Sequence, residues 1–421
     1  MKLSRALLDS ACHATSLACR FDRPADTVLA EFFQRNRQLG SHDRHFIGDT
    51  VFSIIRHKRL LETIVPEPDT RRLVLASLLK FQDLPLKEVA SLGMTSDHAW
   101  LSRVERTSTS DLAPAIRLSL PDWLWQDLQS QFGNDRALRL GSALLTPSSL
   151  DLRVNTLIAD RKDVNEELNQ SGIAACVTPY SPFGIRLEGK PSLNQHALYL
   201  SGAIEIQDEG SQLLGLLVAP ARRQMVVDFC AGAGGKTLLL GAMMRDQGRL
   251  YAFDISAKRL ESLKQRVKRA RLTNIHPQLM GSERDPRIAR LAGKIDRVLV
   301  DAPCSGLGTL RRSPDLKWRQ TPTSVNEWVA MQSRILQASS QLVKPGGRLV
   351  YATCSLLAAE NEEVVAAFLE SQNGRFCLVN CQSVLEALHI QLDTGPYFRV
   401  LPDEHRCDGF FAALIERTAA A

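Results

Sequence analysis

The sequence lacks the features that mark secreted, metal-binding and membrane-spanning proteins. None of its nine cysteines forms a C-x-x-C pair, and their uneven spacing in a chain of 421 residues predicts no disulfide framework. The cysteines and histidines near the C-terminus match no zinc-binding spacing. No apolar run approaches the roughly 20 residues of a membrane span, and Asp9 and His13 interrupt the N-terminal apolar run that a signal peptide would need. We therefore expect a cytoplasmic protein with neither a membrane nor a metal among its partners.

The chain also lacks a strong charge of one sign. Its 52 Lys and Arg against 46 Asp and Glu give a net charge of +6 and a pI near 8.9, which is compatible with nucleic acid but does not demonstrate it. Basic residues concentrate on one predicted helix, where a solvated face explains them as well as RNA contact does, and again after Cys304, where we expect a functional role. Trp318, in the second group, either stacks on RNA or packs under the loop. The two groups are Lys258, Arg259, Lys264, Arg266, Lys268, Arg269 and Arg271, and Arg311, Arg312, Lys317 and Arg319.

Three patterns divide the chain. Residues 1–145 carry apolar side chains at three- and four-residue spacing, which predicts a helical bundle. Residues 146–205 mix short extended runs with a polar helix, which predicts a small α+β subdomain. Residues 206–421 alternate strands, turns and helices, which predicts an α/β domain with a doubly wound parallel sheet. We expect the protein to be a monomer.

The strands expected in the α/β domain determine where its loops meet. We place them at 224–229, 249–255, 277–280, 295–302 and 347–353, with 409–415 as the last strand and the segment Lys344-Pro345-Gly346-Gly347 as a helix stop before the fifth strand. Substrates bind at the carboxyl ends of the strands in sheets of this kind. The loops after these strands are therefore the place to look for chemistry.

Two cysteines follow two of these strands directly. Cys304 lies in the D-A-P-C-S segment that begins at Asp301, and Cys354 lies in a T-C-S segment. Both therefore lie at the edge of the sheet where chemistry is expected. A thiolate there can add covalently to an electron-poor carbon, which suggests chemistry on a pyrimidine ring.

A glycine-rich loop follows the first strand and opens a helix, so it is a candidate nucleotide site. Gly232 and Gly234 begin a dinucleotide pattern, but Thr237 replaces its third glycine, and Cys230 stands where a phosphate-binding P-loop needs its first glycine. S-adenosylmethionine is the remaining candidate ligand. Asp254, twenty residues after Gly234 and at the end of the next strand, can accept both ribose hydroxyls, unless it serves as a helix N-cap. Asp228 can face the cationic end of that ligand.

At these residues the chain resembles the Nol/Nop/Sun family of S-adenosylmethionine-dependent RNA cytosine-5 methyltransferases. The helical N-terminus resembles the NusB-like RNA-binding domain of a bacterial branch of the family that acts on small-subunit rRNA. The resemblance implies a Rossmann-like class I methyltransferase sheet in 206–421, and a linker or RNA-binding subdomain in 146–205. The matching segments are the glycine loop, 301–305, 311–318, 351–355 with Glu360-Asn361, 207–212 and 152–155.

The resemblance also implies roles for single residues. Cys354 is the expected nucleophile, Cys304 helps to release the product, and Asp301 lies between cofactor and cytosine. The family usually has proline at the position of Ala233. Its acidic residue near the adenine is displaced here, so that Ser282 or Glu283 takes its place or the contact is lost. The implied cofactor-binding residues are Cys230, Ala231, Gly232, Ala233, Gly234, Gly235, Lys236, Asp254, Ser282 and Asp301.

The activity that the resemblance implies is methyl transfer from S-adenosylmethionine to C5 of a cytosine in RNA, through a covalent adduct between cysteine and C6. Small-subunit rRNA is the expected substrate, with tRNA or another RNA as alternatives. A non-catalytic RNA-binding or ribosome-assembly factor is the alternative from another class. That alternative is disfavoured because the chain retains the residues that the chemistry needs, namely Cys304, Cys354, Asp254 and Lys236. A DNA cytosine-5 methyltransferase is disfavoured because no Glu-Asn-Val segment follows Cys304.

Overall fold

The computed structural model describes residues 4–93 and 97–419, which divide into two compact units. One unit contains the chain up to Pro147 together with Thr309–Pro322. The other contains Ser148–Gly308 and the chain from Thr323 onward. Segment 309–322, which the sequence analysis placed within 206–421, is thus part of the N-terminal unit by its contacts.

The N-terminal unit is helical, as predicted. Its apolar residues recur at helical spacing and form one core that includes Ile47, Ile54, Leu75 and Leu101, each fully buried. No helix among the described residues is long and apolar enough to cross a membrane. The helices are α1 (Arg5–Ala18), α2 (Ala25–Arg35), α3 (Ser41–Ile64), α4 (Thr70–Phe81), α5 (Leu86–Leu92), α6 (Asp97–Arg106), α7 (Pro114–Arg117), α8 (Asp122–Phe132) and α9 (Asn134–Leu144).

The second unit begins with a small antiparallel sheet of four strands, in the order β2-β3-β1-β4. Alternating apolar residues of the strands pack against Val164 and Leu168 of the helix that follows β1. The elements are β1 (Leu150–Val154), α10 (Arg161–Gln170), β2 (Ala175–Val177), β3 (Gly184–Leu187), α11 (Ala197–Leu200) and β4 (Ile204–Ile206).

The remainder of this unit is a mixed sheet of eight strands with helices between them. The elements are α12 (Glu209–Leu216), β5 (Met225–Asp228), α13 (Gly235–Met243), β6 (Arg249–Asp254), α14 (Ala257–Arg269), β7 (Ile275–Leu279), α15 (Pro286–Leu291), β8 (Ile295–Asp301), α16 (Leu316–Arg319, within the segment assigned to the helical unit), α17 (Pro322–Ser340), β9 (Val343–Thr353), α18 (Glu362–Ser371), β10 (Phe376–Val379), α19 (Cys381–Ala387), β11 (Phe398–Val400), α20 (Pro402–His405) and β12 (Phe410–Arg417), with short 3₁₀ turns at Leu307–Thr309 and Ala358–Glu360.

The sheet order is β10-β12-β9-β8-β5-β6-β7, and β11 pairs with β12. Strands β5 to β9 are parallel, and β12 runs antiparallel to β9 and β10. The predicted Rossmann-like sheet is therefore confirmed. From β5 the chain adds β6 and β7 on one side, and it then returns to add β8 on the other side of β5. The crevice between the carboxyl ends of β5 and β8 is where folds of this kind bind ligands.

Two strand boundaries differ from the predicted ones. β7 begins at Ile275 and includes Pro277, which is tolerated because β7 is an edge strand. β9 begins at Val343, so the glycines expected to stop a helix lie inside an irregular strand, where Gly346 has a φ of +70° and the pairing with β8 shifts register.

Segment 309–322 donates hydrogen bonds to α3 next to a kink in that helix. The helix is interrupted at His57, where φ is −109°, and the amide of Arg59 donates to Ser119 Oγ at 2.9 Å. Lys317 Nζ donates to the carbonyl oxygen of Arg56 and Trp318 Nε1 to that of Ile55, both at 2.8 Å. The segment therefore supplies donors to carbonyls near the kink.

Candidate active site

The glycine loop connects β5 to α13 and is shaped by its backbone. The amide of Ala231 donates to the carbonyl of Phe253 at 2.8 Å, and that of Gly232 donates to Asp254 Oδ2 at 2.8 Å. Gly234 has a φ of +90°, and a Cβ there would lie 2.1 Å from Leu263 Cδ1. The backbone angle therefore favours glycine at position 234, and a Cβ there would also force the end of the Leu263 side chain to move.

The start of α13 presents backbone donors at the end of this loop. The helix begins at Gly235, and no side chain caps its N-terminus. Its first amide groups have no partners within the helix, and together they favour a polar or anionic ligand. The buried Arg153 fixes the loop from the other side, because its Nη1 donates to the carbonyl of Gly235 and to Gln207 Oε1, both at 2.5 Å.

Asp254 ends β6 beside the loop. Its Oδ1 accepts from the amide of Ser256 at 2.7 Å, and its Oδ2 accepts from Gly232. The N-cap of α14 is Ser256, so the alternative role of Asp254 as that cap is wrong. Each carboxylate oxygen has a further lone pair, so the side chain can still accept from a diol.

Asp228 is a buried carboxyl under the loop. Its Oδ2 accepts from Thr237 Oγ1 at 2.7 Å, while Oδ1 has no partner. Burial raises the pKa of Asp228 from 3.8 to about 7. An orphaned, buried carboxyl oxygen suits a cationic ligand group. The loop, the bare helix start, Asp254 and Asp228 together fit a ligand with a diol and a cationic end, as S-adenosylmethionine has.

Lys236 links the loop to β8. Its Nζ lies 2.7 Å from Oδ2 of Asp301, the last residue of that strand. Burial disfavours the charge on Lys236, but the attraction of Asp301 outweighs it, so the pKa of Lys236 is raised. The ammonium group also interacts electrostatically with Cys354. One cation therefore connects the glycine loop with the two loops that carry the cysteines.

The two cysteines come together as expected from their positions after β8 and β9. Their Sγ atoms are 3.5 Å apart, and both side chains are half-buried. The hydrogen bond to Cys354, followed by burial, raises the pKa of Cys304 well above that of an ordinary thiol. The neighbouring hydroxyls of Ser305 and Ser355 are 3.2 Å apart. Among the described residues, no group of three His, Cys, Asp or Glu side chains could hold a metal ion.

Sequence reasoning missed the residues that hold these two loops. Glu360 accepts from the amide and hydroxyl of Ser305, from the hydroxyl of Ser355 and from Gln332 Nε2. Asn361 donates to the carbonyl of Ser355 at 3.1 Å. Glu360 and Asn361 lie in a segment that carries the family resemblance, which was the available signal. Nothing in the sequence pointed to Gln332.

The two residues expected on the adenine side have partners of their own away from the glycine loop. Ser282 follows β7, and its Oγ accepts from the amide of Arg284, while Glu283 pairs with Arg334 at 3.2 Å. No hydrogen bond or ion pair within residues 4–93 and 97–419 joins either side chain to the glycine loop.

The expected functional role of Lys317 is not supported, because its ammonium lies buried within the helical unit. Trp318 packs against the core of the helical unit rather than under the loop, and its Nε1 donates to the carbonyl of Ile55.

Comparison with known proteins identifies the family. The profile for 16S rRNA methyltransferase RsmB/F matches residues 215–416, and that for the ferredoxin-like domain of RsmF/B-like methyltransferases matches 120–194. The chain is 30% identical to a probable ribosomal RNA small subunit methyltransferase B from Synechocystis, over 94% of this chain and 96% of the relative.

Two solved structures support the fold. The crystal structure of PH0851 superimposes with a TM-score of 0.81 at 24% identity and covers 99% of this chain and 100% of its own. A methyltransferase homologue from Pyrococcus horikoshii gives a TM-score of 0.63 at 29% identity, over 74% of this chain and all of its own. The resemblance derived from the sequence is therefore confirmed. The chain belongs to the 16S rRNA methyltransferase RsmB/F family, and its cofactor is S-adenosylmethionine.

Proposed function

We propose that this protein transfers a methyl group from S-adenosylmethionine to C5 of a cytosine in small-subunit rRNA. The observation that carries the proposal is the 3.5 Å separation of the Cys304 and Cys354 sulfur atoms at the ends of adjacent parallel strands. A single cysteine would be explained by packing. Two thiols at the ligand-binding edge of the sheet, joined through Lys236 to the glycine loop, are suited to chemistry on a ring.

The chemistry requires a nucleophile because cytosine C5 is itself a poor one. Addition of the Cys354 thiolate to C6 breaks the aromaticity of the ring and makes C5 resemble an enamine carbon. The bound cofactor supplies an electrophilic sulfonium methyl group. C5 of the Cys354 adduct takes up the methyl group as the bond from the methyl carbon to the sulfonium sulfur breaks. A base positioned by Cys304 is proposed to accept the C5 proton, and elimination of the Cys354 thiolate then restores the ring and frees the enzyme.

The electrostatics support different roles for the two sulfur atoms. Lys236 interacts electrostatically with Cys354. The hydrogen bond to Cys354, and then burial, raise the pKa of Cys304, so Cys304 keeps its proton and is proposed to position the base that accepts the C5 proton during product release. Asp301 is proposed to approach N3 of the cytosine, where its carboxyl polarises the ring during addition.

The cofactor is proposed to bind along the glycine loop. Residues 230–236 supply backbone donors, Asp254 accepts from the ribose hydroxyls, and Asp228 faces the cationic end. Ser282 is retained as the proposed residue on the adenine side, since it follows the edge strand next to Asp254.

The other parts of the chain are proposed to recognise RNA. Residues 1–145 are proposed to act as a NusB-like RNA-binding domain and 146–205 as an RNA-binding linker subdomain. The target base must leave any stacked helix to reach the cysteines, which favours loops or partly opened rRNA. We further propose that the protein acts in the cytoplasm as a monomer.

The test is product analysis. The purified protein, small-subunit rRNA and S-adenosylmethionine with a labelled methyl group are incubated together, and the RNA is digested to nucleosides. We expect the label to co-elute with 5-methylcytidine, and bisulfite sequencing to identify one position. Label in any other nucleoside would overturn the cytosine-5 assignment, and label in tRNA but not rRNA would change the substrate.

A further inference from the structure

Glu360 is a buried carboxylate that accepts four hydrogen bonds. Its Oε1 accepts from the amide of Ser305 at 2.8 Å and from Gln332 Nε2 at 2.9 Å, and its Oε2 accepts from the hydroxyls of Ser305 and Ser355, each at 2.5 Å. The residue is fully buried, and no Lys, Arg or His of the described chain pairs with it. Its charge is stabilised by neutral donors alone.

These donors belong to the two cysteine loops. Ser305 follows Cys304, and Ser355 follows Cys354, so one carboxylate bridges the residues next to both sulfur atoms. Gln332 extends the contact, because its Nε2 also donates to the carbonyl of Pro303 at 3.0 Å. The bond from Thr353 Oγ1 to Asn361 Oδ1, at 2.5 Å, fixes the second loop on the other side of its cysteine. Both sulfur atoms are therefore held through their neighbours along the chain.

The two sulfur atoms face opposite charges. The hydrogen bond to Cys354, then burial and the charge of Cys354, raise the pKa of Cys304, and the carboxylate of Glu360 raises it further. The ammonium of Lys236 interacts electrostatically with Cys354. Asp301 is paired with that ammonium at 2.7 Å. The other thiol and the phenol of Tyr351 also interact electrostatically with Cys304, and the Tyr351 hydroxyl donates to the carbonyl of Glu360 at 2.7 Å. A negative charge favours the protonated form of a thiol, and a positive charge favours the thiolate.

We propose that Glu360 is a positioning residue with two effects. Its hydrogen bonds fix the spacing of Cys304 and Cys354, and its charge retains the proton on Cys304 so that Cys354 becomes the nucleophile. The inference rests on the proposed function, since it assigns to Glu360 the division of labour between the two thiols. Glu360 itself touches no substrate.

Three variants separate the effects. E360Q removes the charge and keeps a side chain of the same shape, which can still hydrogen-bond to the two serines. The double variant S305A/S355A removes the two hydroxyl donors and keeps the charge. E363Q is the matched control, because Glu363 is an exposed carboxylate in the first turn of α18, three residues along the chain. Thermal unfolding establishes that each variant is folded.

The first measurement is alkylation of each cysteine by iodoacetamide, resolved by peptide mass spectrometry between about pH 6 and 10, without RNA or cofactor. In the wild type we expect Cys354 to react at lower pH than Cys304. In E360Q, Cys304 should react about ten-fold faster at a given pH, because loss of a neighbouring negative charge favours the thiolate. S305A/S355A and E363Q should leave the pH midpoint of Cys304 unchanged. Unchanged reactivity of Cys304 in E360Q would overturn the effect of the charge.

The second measurement is single-turnover methyl transfer. S305A/S355A should transfer about 10²-fold more slowly, with RNA affinity unchanged, because misplaced reacting groups lose rate rather than binding. E360Q should also transfer more slowly, because Cys304 loses its proton more readily without the neighbouring charge. E363Q should match the wild type. Wild-type rates in S305A/S355A would overturn the effect on spacing.

The two measurements distinguish a failure of this inference from a failure of the proposed function. A wild type that forms no 5-methylcytidine contradicts the function, whereas alkylation still decides whether Glu360 controls the proton. If E360Q does not fold, the wild-type order of reactivity remains decisive, since a Cys304 that reacts at lower pH than Cys354 contradicts the inference.

Discussion

The two sides of the candidate active site are built from different material. On the side proposed to bind the cofactor (the cofactor side), the glycine loop obtains its shape from backbone hydrogen bonds and from the space that Gly234 leaves for Leu263. On the side proposed to receive the nucleobase (the nucleobase side), the loops with Cys304 and Cys354 are held by a buried side-chain network around Glu360. A loop whose shape comes from its backbone tolerates changes in exposed side chains, such as alanine at position 233. A site held by a network of side chains depends on every side chain in that network.

The largest effects are expected on the nucleobase side. C354A should abolish methyl transfer because no thiolate remains to add to C6. C304A should still form the adduct but release it slowly, with turnover lower by about 10² to 10⁴-fold, the range typical of a lost acid–base group. Denaturing gels of protein incubated with RNA and cofactor should show a slower covalent band for C304A and none for C354A.

C176A is a matched control for this pair, because Cys176 is exposed in β2. It should behave as the wild type. A covalent band from C354A but not from C304A would reverse the assignment of the two thiols.

A smaller effect, on stability, is expected from Asp228 on the cofactor side. The folded carboxyl keeps its proton up to about pH 7, whereas an ordinary carboxyl ionises near 3.8. The folded state therefore binds more protons between these values, and its stability falls as the pH rises through that window, by at most about 4 kcal/mol. D228N removes this contribution. In urea unfolding without cofactor, the free energy of unfolding of D228N should rise relative to that of the wild type between about pH 5 and pH 8. The same difference in free energy between the two proteins at both pH values would contradict the prediction.

The smallest expected effect is the loss of the Asp254 carboxylate. D254A removes the acceptor for the amides of Gly232 and Ser256 and the proposed acceptor for the ribose hydroxyls. Hydrogen bonds to a charged group contribute about 1.5–3 kcal/mol, so S-adenosylmethionine should bind about 10 to 150-fold more weakly. Calorimetry measures this directly, with E261A on the exposed face of α14 as the control. Unchanged affinity would remove Asp254 from the cofactor site.

The cofactor side was largely predictable from the sequence. A strand, a glycine loop, a helix and an acid at the end of the next strand occur within about thirty residues, so local pattern and topology suffice. The cysteines were found because each follows a buried strand. What the sequence could not provide was the distance between their sulfur atoms, which depends on β8 and β9 being neighbours in the sheet.

The residues that were missed or misjudged depend on distant partners. Gln332 meets Glu360 across 28 residues, and Ser305 meets it across 55. Lys317 was expected to have a functional role because it is basic and follows a catalytic candidate. Its partner in α3 lies 261 residues away, and no periodicity of charge or hydropathy records such a contact.

The position of segment 309–322 has a practical consequence for dividing this protein into fragments. A fragment that ends at Pro147 would leave the carbonyls of Ile55 and Arg56 without the donors that Lys317 and Trp318 supply. Expression of the N-terminal region alone should therefore yield a less stable product, and adding a peptide of residues 309–322 should restore it. Domain swaps between relatives would need to exchange this peptide along with the helices.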